Sequence, residues 1–139
     1  MIRESQRDYM IVLSIAFASF LARLNLYTVN VSLPTISRAF NIGTSEASQI
    51  VTAYLVVITG TLILFGKLGD KLGFKDLFII GYIVFILGSL LCGLSQGIYS
   101  LIASRFLQGL GSSILLATSF AIIAQTIPRE KLGWAFGIN

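Results

Sequence analysis

Two arginines stand inside long apolar stretches of this 139-residue chain, Arg23 and Arg105, and each has polar company. Arg23, Tyr27 and Asn30 fall at i, i+4 and i+7, one face of a helix, while Asn25 and Ser32 turn to the other side. Gln108 follows Arg105 at i+3 and is placed to share its surroundings. A guanidinium keeps its proton, so these positions offer fixed charge and hydrogen bonds rather than acid–base turnover. The rest of the chemical repertoire is thin. There is no histidine and a single cysteine, Cys92, and the six acidic residues all lie outside the apolar runs. Neither a nucleophile–base pair nor a metal cluster has its parts, so no enzyme, cofactor or metal site is expected. Gly109-Leu110-Gly111 lies within an apolar run and follows no strand, which excludes a phosphate loop. Cys92 reads as a small apolar residue inside a span.

The elements that hold these residues follow from composition. Hydrophobic residues make up 55% of the chain and charged ones 12%, with mean hydropathy +0.87. A soluble domain carries about twice that charge, so lipid is the expected solvent for most side chains. Four uncharged or nearly uncharged runs are each long enough to cross a bilayer, at about 9–33, 48–65, 77–94 and 99–127, and residues 132–139 begin a fifth. The fold class is therefore an all-α integral membrane helix bundle. Pro34 and Pro128, the only prolines, are read as stops of the first and fourth spans. A polar connection is expected at 35–47, with Thr44 or Ser45 as the cap and Glu46 in the first turn of the next helix. Gly66 to Asp76 reads as a glycine-rich, charged hinge between the second and third spans.

Lys and Arg near the span ends set the orientation. The start of the chain, the hinge and the 129–131 loop hold Arg3, Arg7, Lys67, Lys71, Lys75, Arg129 and Lys131, against Arg38 alone in the two opposite loops. The amino terminus and the 66–76 loop are thus expected in the cytoplasm, in a multi-pass protein of the cell membrane. The basic residues form no stripe, so nucleic acid is not expected as a partner. An arginine at bilayer depth costs about 2.5–3.5 kcal/mol on insertion scales, so each should face protein or a water-filled cavity. At 1.5 Å per residue, Arg105 lies about 9 Å and Arg23 about 15 Å from the outer ends of their spans. Asn25, at similar depth, is expected beside Arg105. Gly109, Ser113, Ala117 and Ala121 continue from Arg105 at four-residue steps as a small-residue ridge for another helix.

Several stretches resemble one family. The hinge Gly66-Lys67-Leu68-Gly69-Asp70-Lys71-Leu72-Gly73-Phe74-Lys75 is similar to the G-x-L-A-D-R-x-G-R-K signature between the second and third spans of the major facilitator superfamily. Arg105-Phe106-Leu107-Gln108-Gly109 matches its R-x-x-Q-G on the fourth span. Leu24 to Pro34 resembles the L-D-x-T-I-V-N-V-A-L-P of its drug:proton antiporter branch. Two departures stand out: Asn25 replaces the acidic residue of the first span, and Phe74 replaces a basic residue of the hinge. The resemblance implies a partial major-facilitator fold, covering about the first third of a member. It also implies a cytoplasmic gate at Gly66, Asp70, Lys71, Gly73 and Lys75. Substrate or ion coupling would fall to Arg105, Gln108, Asn25, Asn30 and Arg23.

The function implied is ion-gradient-driven secondary transport of small molecules, of the drug or multidrug type. Four spans leave one wall of the cavity unsupplied, so the chain is expected to be inactive as a monomer. Its partners are the lipid bilayer, a small-molecule substrate, and either further copies or a missing carboxy-terminal portion. The alternative is a non-transporting helix module that associates with other chains.

Overall fold

The computed structural model describes residues 2–138, and the side chains of residues 2–5, 7 and 8 lie outside that description. The side chains of Arg3 and Arg7, which enter the charge count above, are therefore not described. In chain order the elements are α1 (Ile2–Phe40), α2 (Thr44–Leu72), α3 (Phe74–Gly93), α4 (Ile98–Thr126), a 3₁₀ turn at Arg129–Lys131, and α5 (Leu132–Ile138). No strand occurs among the described residues. Four of the helices are long and apolar enough to cross a membrane.

The helices are longer than the apolar runs that announce them. Pro34 does not stop α1, which continues to Phe40. Proline removes one N–H, but apolar surroundings offer the chain no water as an alternative partner, so the remaining ladder keeps its form. The end comes at Asn41, whose φ of 52° is left-handed, and Ile42 N–H closes on Ser37 O at 3.0 Å. The expected polar connection shrinks to Asn41, Ile42 and Gly43. Neither Thr44 nor Ser45 caps α2; the Glu46 carboxylate reaches back to accept the Gly43 N–H at 3.1 Å.

The glycine-rich hinge is likewise mostly helix. α2 runs through Gly66 and Gly69 to Leu72, and Gly73 alone separates it from α3. Gly73 has φ 93° and ψ 130°, a conformation open to glycine and strained for any residue with a Cβ. The Phe74 ring folds back over Gly69, where a Cβ would collide with it.

α4 is the axis of the bundle. Of its apolar window 56% is buried, against 28% for α1, 17% for α2 and 22% for α3. Apolar clusters stack along it. Val12, Ile15, Ile123, Ile127 and Ala135 pack at the end nearest the hinge, Ala18, Ala22, Phe85 and Leu115 in the middle, and Val29, Ile50 and Leu101 at the far end. Tyr9 meets Trp134 edge-on at 4.8 Å between ring centroids, which seats the start of α5 against α1.

α3 and α4 approach each other through glycines. Phe85 lies across Gly111, Ile114 fills the space over Gly81, and Gln108 sits over Gly88, so bulk on one helix meets absence on the other. Such approach brings backbones close enough for extensive dispersion contact, the main source of helix association in lipid. A Cβ on Gly111 would fall 2.7 Å from the Phe85 Cα, whereas one on Gly60 of α2 would meet nothing within 4 Å. Gly111→Ala is therefore expected to cost about 1–3 kcal/mol by overpacking. Gly60→Ala should be neutral or gain about 0.5–1 kcal/mol from reduced backbone freedom. Unfolding in detergent checks the pair.

Candidate functional site: a buried arginine between α1, α3 and α4

Arg105 lies a quarter of the way along α4, in the helix face that packs inward, and is only 7% exposed. A charge at that place must be met by protein oxygens. Its Nη1 donates to Asn25 Oδ1 on α1 at 2.5 Å and to Gln108 Oε1, one turn further along α4, at 2.6 Å. Since arginine only donates, both amides must present oxygen to it, and this fixes their orientation. The Gln108 amide nitrogen is then turned to α3, where it donates to Ser89 Oγ at 2.7 Å. Ser89 in turn donates to Phe85 O at 2.9 Å, and Cys92 Sγ lies 3.9 Å from Gln108 Oε1. Gln108 is fully buried over Gly88, which makes the glycine a condition of the network.

α2 closes the cluster with an aromatic face. The Arg105 guanidinium carbon lies 6.0 Å from the centroid of Tyr54, at the edge of cation–π range. The Tyr54 hydroxyl is held by Ser112 Oγ at 2.7 Å and donates to Ala22 O at 3.3 Å, linking α2 to α4 and α1. Further along, Thr61 Oγ1 and Ser113 Oγ are 2.9 Å apart, and Ser113 also approaches Ile58 O at 3.3 Å. Arg105 Nε, however, is buried and has no acceptor among the described residues.

The structure thus joins Arg105, Gln108 and Asn25, as their depths predict. Arg23 and Asn30 are exposed on α1, and Asn30 donates to Leu26 O at 3.2 Å within its own helix. Two residues on a helix are about 200° apart, so Asn25 can turn inward only if Arg23 turns away. The ridge of small residues on α4 faces α2: Gly109 fits under Tyr54 O and Val57, and Ser113 meets Thr61. Asp70, Lys71 and Lys75 are exposed at the hinge. Asp70 falls in the last turn of α2, against the negative end of that helix dipole.

Tyr54, Ser89 and Ser112 were not foreseen. Their only signal is a hydroxyl in an apolar helix, and such a residue also satisfies itself on its own backbone, as Ser104 does with Ser100 O at 2.7 Å.

Comparison with known proteins comes down on one side. The Major Facilitator Superfamily profile matches residues 15–139. The chain is 38% identical over 134 residues to the riboflavin transporter RibZ of Clostridioides difficile, an alignment covering 96% of this chain and 29% of that protein. It is 32% identical to the uncharacterized MFS-type transporter YvkA of Bacillus subtilis, over 96% of this chain and 30% of the relative. It is 34% identical to the uncharacterized transporter YebQ of Escherichia coli, over 94% and 29%. The chain therefore spans about 30% of the length of these curated relatives.

The Tyr54–Ser112 bond lends itself to a double-mutant cycle. Tyr54→Phe and Ser112→Ala are each expected to cost about 1 kcal/mol. The coupling between them should be about 0.6 kcal/mol, the usual worth of an interhelical hydrogen bond in a membrane protein. Unfolding of the four chains in one detergent measures it.

Proposed function

The chain belongs to the major facilitator superfamily, and from that premise we propose that it takes part in moving small organic molecules across a membrane, driven by an ion gradient. The observation that carries the reading is Arg105, a buried cation held between α1 and α4 by the neutral oxygens of Asn25 and Gln108. A bundle that served only to associate with other chains would have no use for a charge that costs about 2.5–3.5 kcal/mol to insert. Residues that expensive inside a membrane mark substrate or ion pathways. Arg105, Gln108 and Asn25 are proposed to line the cavity, with Arg23 and Asn30 contributing from the opposite, exposed face of α1. Gly66, Asp70, Lys71, Gly73 and Lys75 are proposed to gate its cytoplasmic side.

The substrate is proposed to be amphipathic. Two lines support this: the likeness of Leu24 to Pro34 to the drug:proton antiporter branch, and the riboflavin named for one relative. With Asn25 in place of a carboxylate, this part of the molecule offers no titrating acid for proton coupling. Coupling to protons would therefore rest on groups away from the Arg105 cluster.

Flux of radiolabelled riboflavin and of an anionic amphipathic dye into proteoliposomes under an imposed gradient is the test. Transport is expected only where the chain is assembled with further copies or with a complementary half, and Arg105→Ala should lower it at least tenfold. Flux unchanged by Arg105→Ala would sink the cavity reading. The proposed orientation has its own check. On a Cys92→Ser background, Ser95→Cys should react with a membrane-impermeant maleimide added to intact cells. Lys71→Cys should react only after the membrane is opened. The opposite pattern would invert the topology.

A further inference from the structure

We propose that Arg105 is an oxyanion-recognition site, so that the molecule handled here carries a carboxylate or a phosphate. The inference rests on the cavity reading above and narrows it to a class of substrate. It starts from a charge that has no counter-charge. Arg105 is 7% exposed, and both oxygens it donates to, Asn25 Oδ1 and Gln108 Oε1, belong to neutral amides. The acidic residues of the chain are Glu4, Asp8, Glu46, Asp70, Asp76 and Glu130, each near an end of a helix or in a turn, and none falls between 9 and 45, 47 and 69, 77 and 129. Neutral dipoles solvate a guanidinium but leave its full positive charge in a low-dielectric setting, where an anion is attracted far more strongly than in water.

Geometry agrees with charge. Both protein bonds use Nη1, and Nε is left without an acceptor among the described residues although it is buried. A structural arginine is normally satisfied around its whole fork, because an orphaned charged donor in such a place is costly. The unused Nε side of the guanidinium is one that a carboxylate or phosphate can engage with two parallel bonds. Asn25 is half-buried, so the approach runs past it from α1, and its side-chain nitrogen can donate to the same anion. The Tyr54 ring, Ser112 on its hydroxyl, and Ser89, which donates to Phe85 O, add no competing negative charge. A cationic substrate, by the same field, is disfavoured.

The test uses the complete 139-residue chain in nanodiscs of zwitterionic lipid. Thermal midpoints are recorded against benzoate, inorganic phosphate and benzamide, the neutral counterpart of benzoate, at fixed ionic strength in sodium chloride, and benzoate binding is measured by calorimetry. The wild type is expected to rise by about 3 °C or more at saturation with benzoate or phosphate and to ignore benzamide. Which of the two anions acts at lower concentration assigns the source as carboxylate or phosphate. Asn25→Asp supplies an internal counter-ion. Its midpoint should start higher than that of the wild type, and its response to either anion should fall at least tenfold. Asn25→Ala, which leaves the charge uncompensated but removes one donor, should weaken the response without abolishing it.

No anion-specific rise in the wild type, an equal rise with benzamide, or an undiminished response in Asn25→Asp would each overturn the proposal. Arg105→Gln should also lose the response, and if it fails to fold, the two Asn25 variants carry the decision. The outcome is separable from that of the transport reading. Benzoate stabilisation without proteoliposome flux leaves the site and removes the transport, whereas flux without anion preference does the reverse.

Discussion

The bundle is arranged around the need to supply protein oxygens to one buried guanidinium. Once Arg105 sits in the inner face of α4, α1 must bring Asn25 to it, Gln108 must be turned so that its oxygen faces the charge, and α3 must then offer Ser89 to the nitrogen left over. Each step fixes the rotation of one helix about its own axis. In water a surface arginine would impose none of this, since solvent would satisfy it in any orientation. In lipid the alternative to each bond is an unmet polar group, so a few side chains decide how helices with otherwise uniform apolar surfaces are turned.

Close packing and polar bonding support each other in this arrangement. Gln108 reaches Ser89 because Gly88 lets the backbone of α3 approach it, and Phe85 can lie across α4 because Gly111 has no side chain there. The same α4 residues that let helices approach are interleaved with those that bond: Gly109 and Ser113 face α2, Gln108 and Gly111 face α3. Apolar layers pack on either side of the cluster along α4. α4 is accordingly the most enclosed helix, and α1, with Leu13, Phe17, Phe20, Leu24, Tyr27 and Val31 outward, remains broadly exposed.

Much of this could be read from residue types alone, and the reason differs from residue to residue. Four helices were legible because apolar runs of that length, with no more than one charge each, fit a bilayer and little else. The meeting of Asn25 and Arg105 was legible because depth along an α-helix is simple arithmetic and a buried charge demands a partner. Pro34 misled because its effect on a helix depends on what else the freed carbonyl can find, and apolar surroundings provide little. The Gly66 to Asp76 stretch misled in the same way: three glycines suggest a loop, yet Gly66 and Gly69 are helical, the latter because the Phe74 ring needs the space. Tyr54 with Ser112, and Thr61 with Ser113, were hidden for another reason. Their pairing depends on how α2 and α4 are rotated against each other, which no periodicity within either helix records.

Gly73 has a mechanical meaning beyond its dihedral angles. It is the entire connection between a helix of 29 residues and one of 20. Neighbouring Cα atoms are about 3.8 Å apart, so a one-residue joint contains no slack that could absorb a sliding of either helix along its length. Lengthwise motion of α2 is passed directly to α3, and only swivelling at the joint is left to the pair as relative movement. α3 is in turn keyed into α4 through Gly81, Gly88 and Gly111. A push applied at the end of α2 far from Gly73 therefore arrives, through a single pivot, at the wall that holds Gln108.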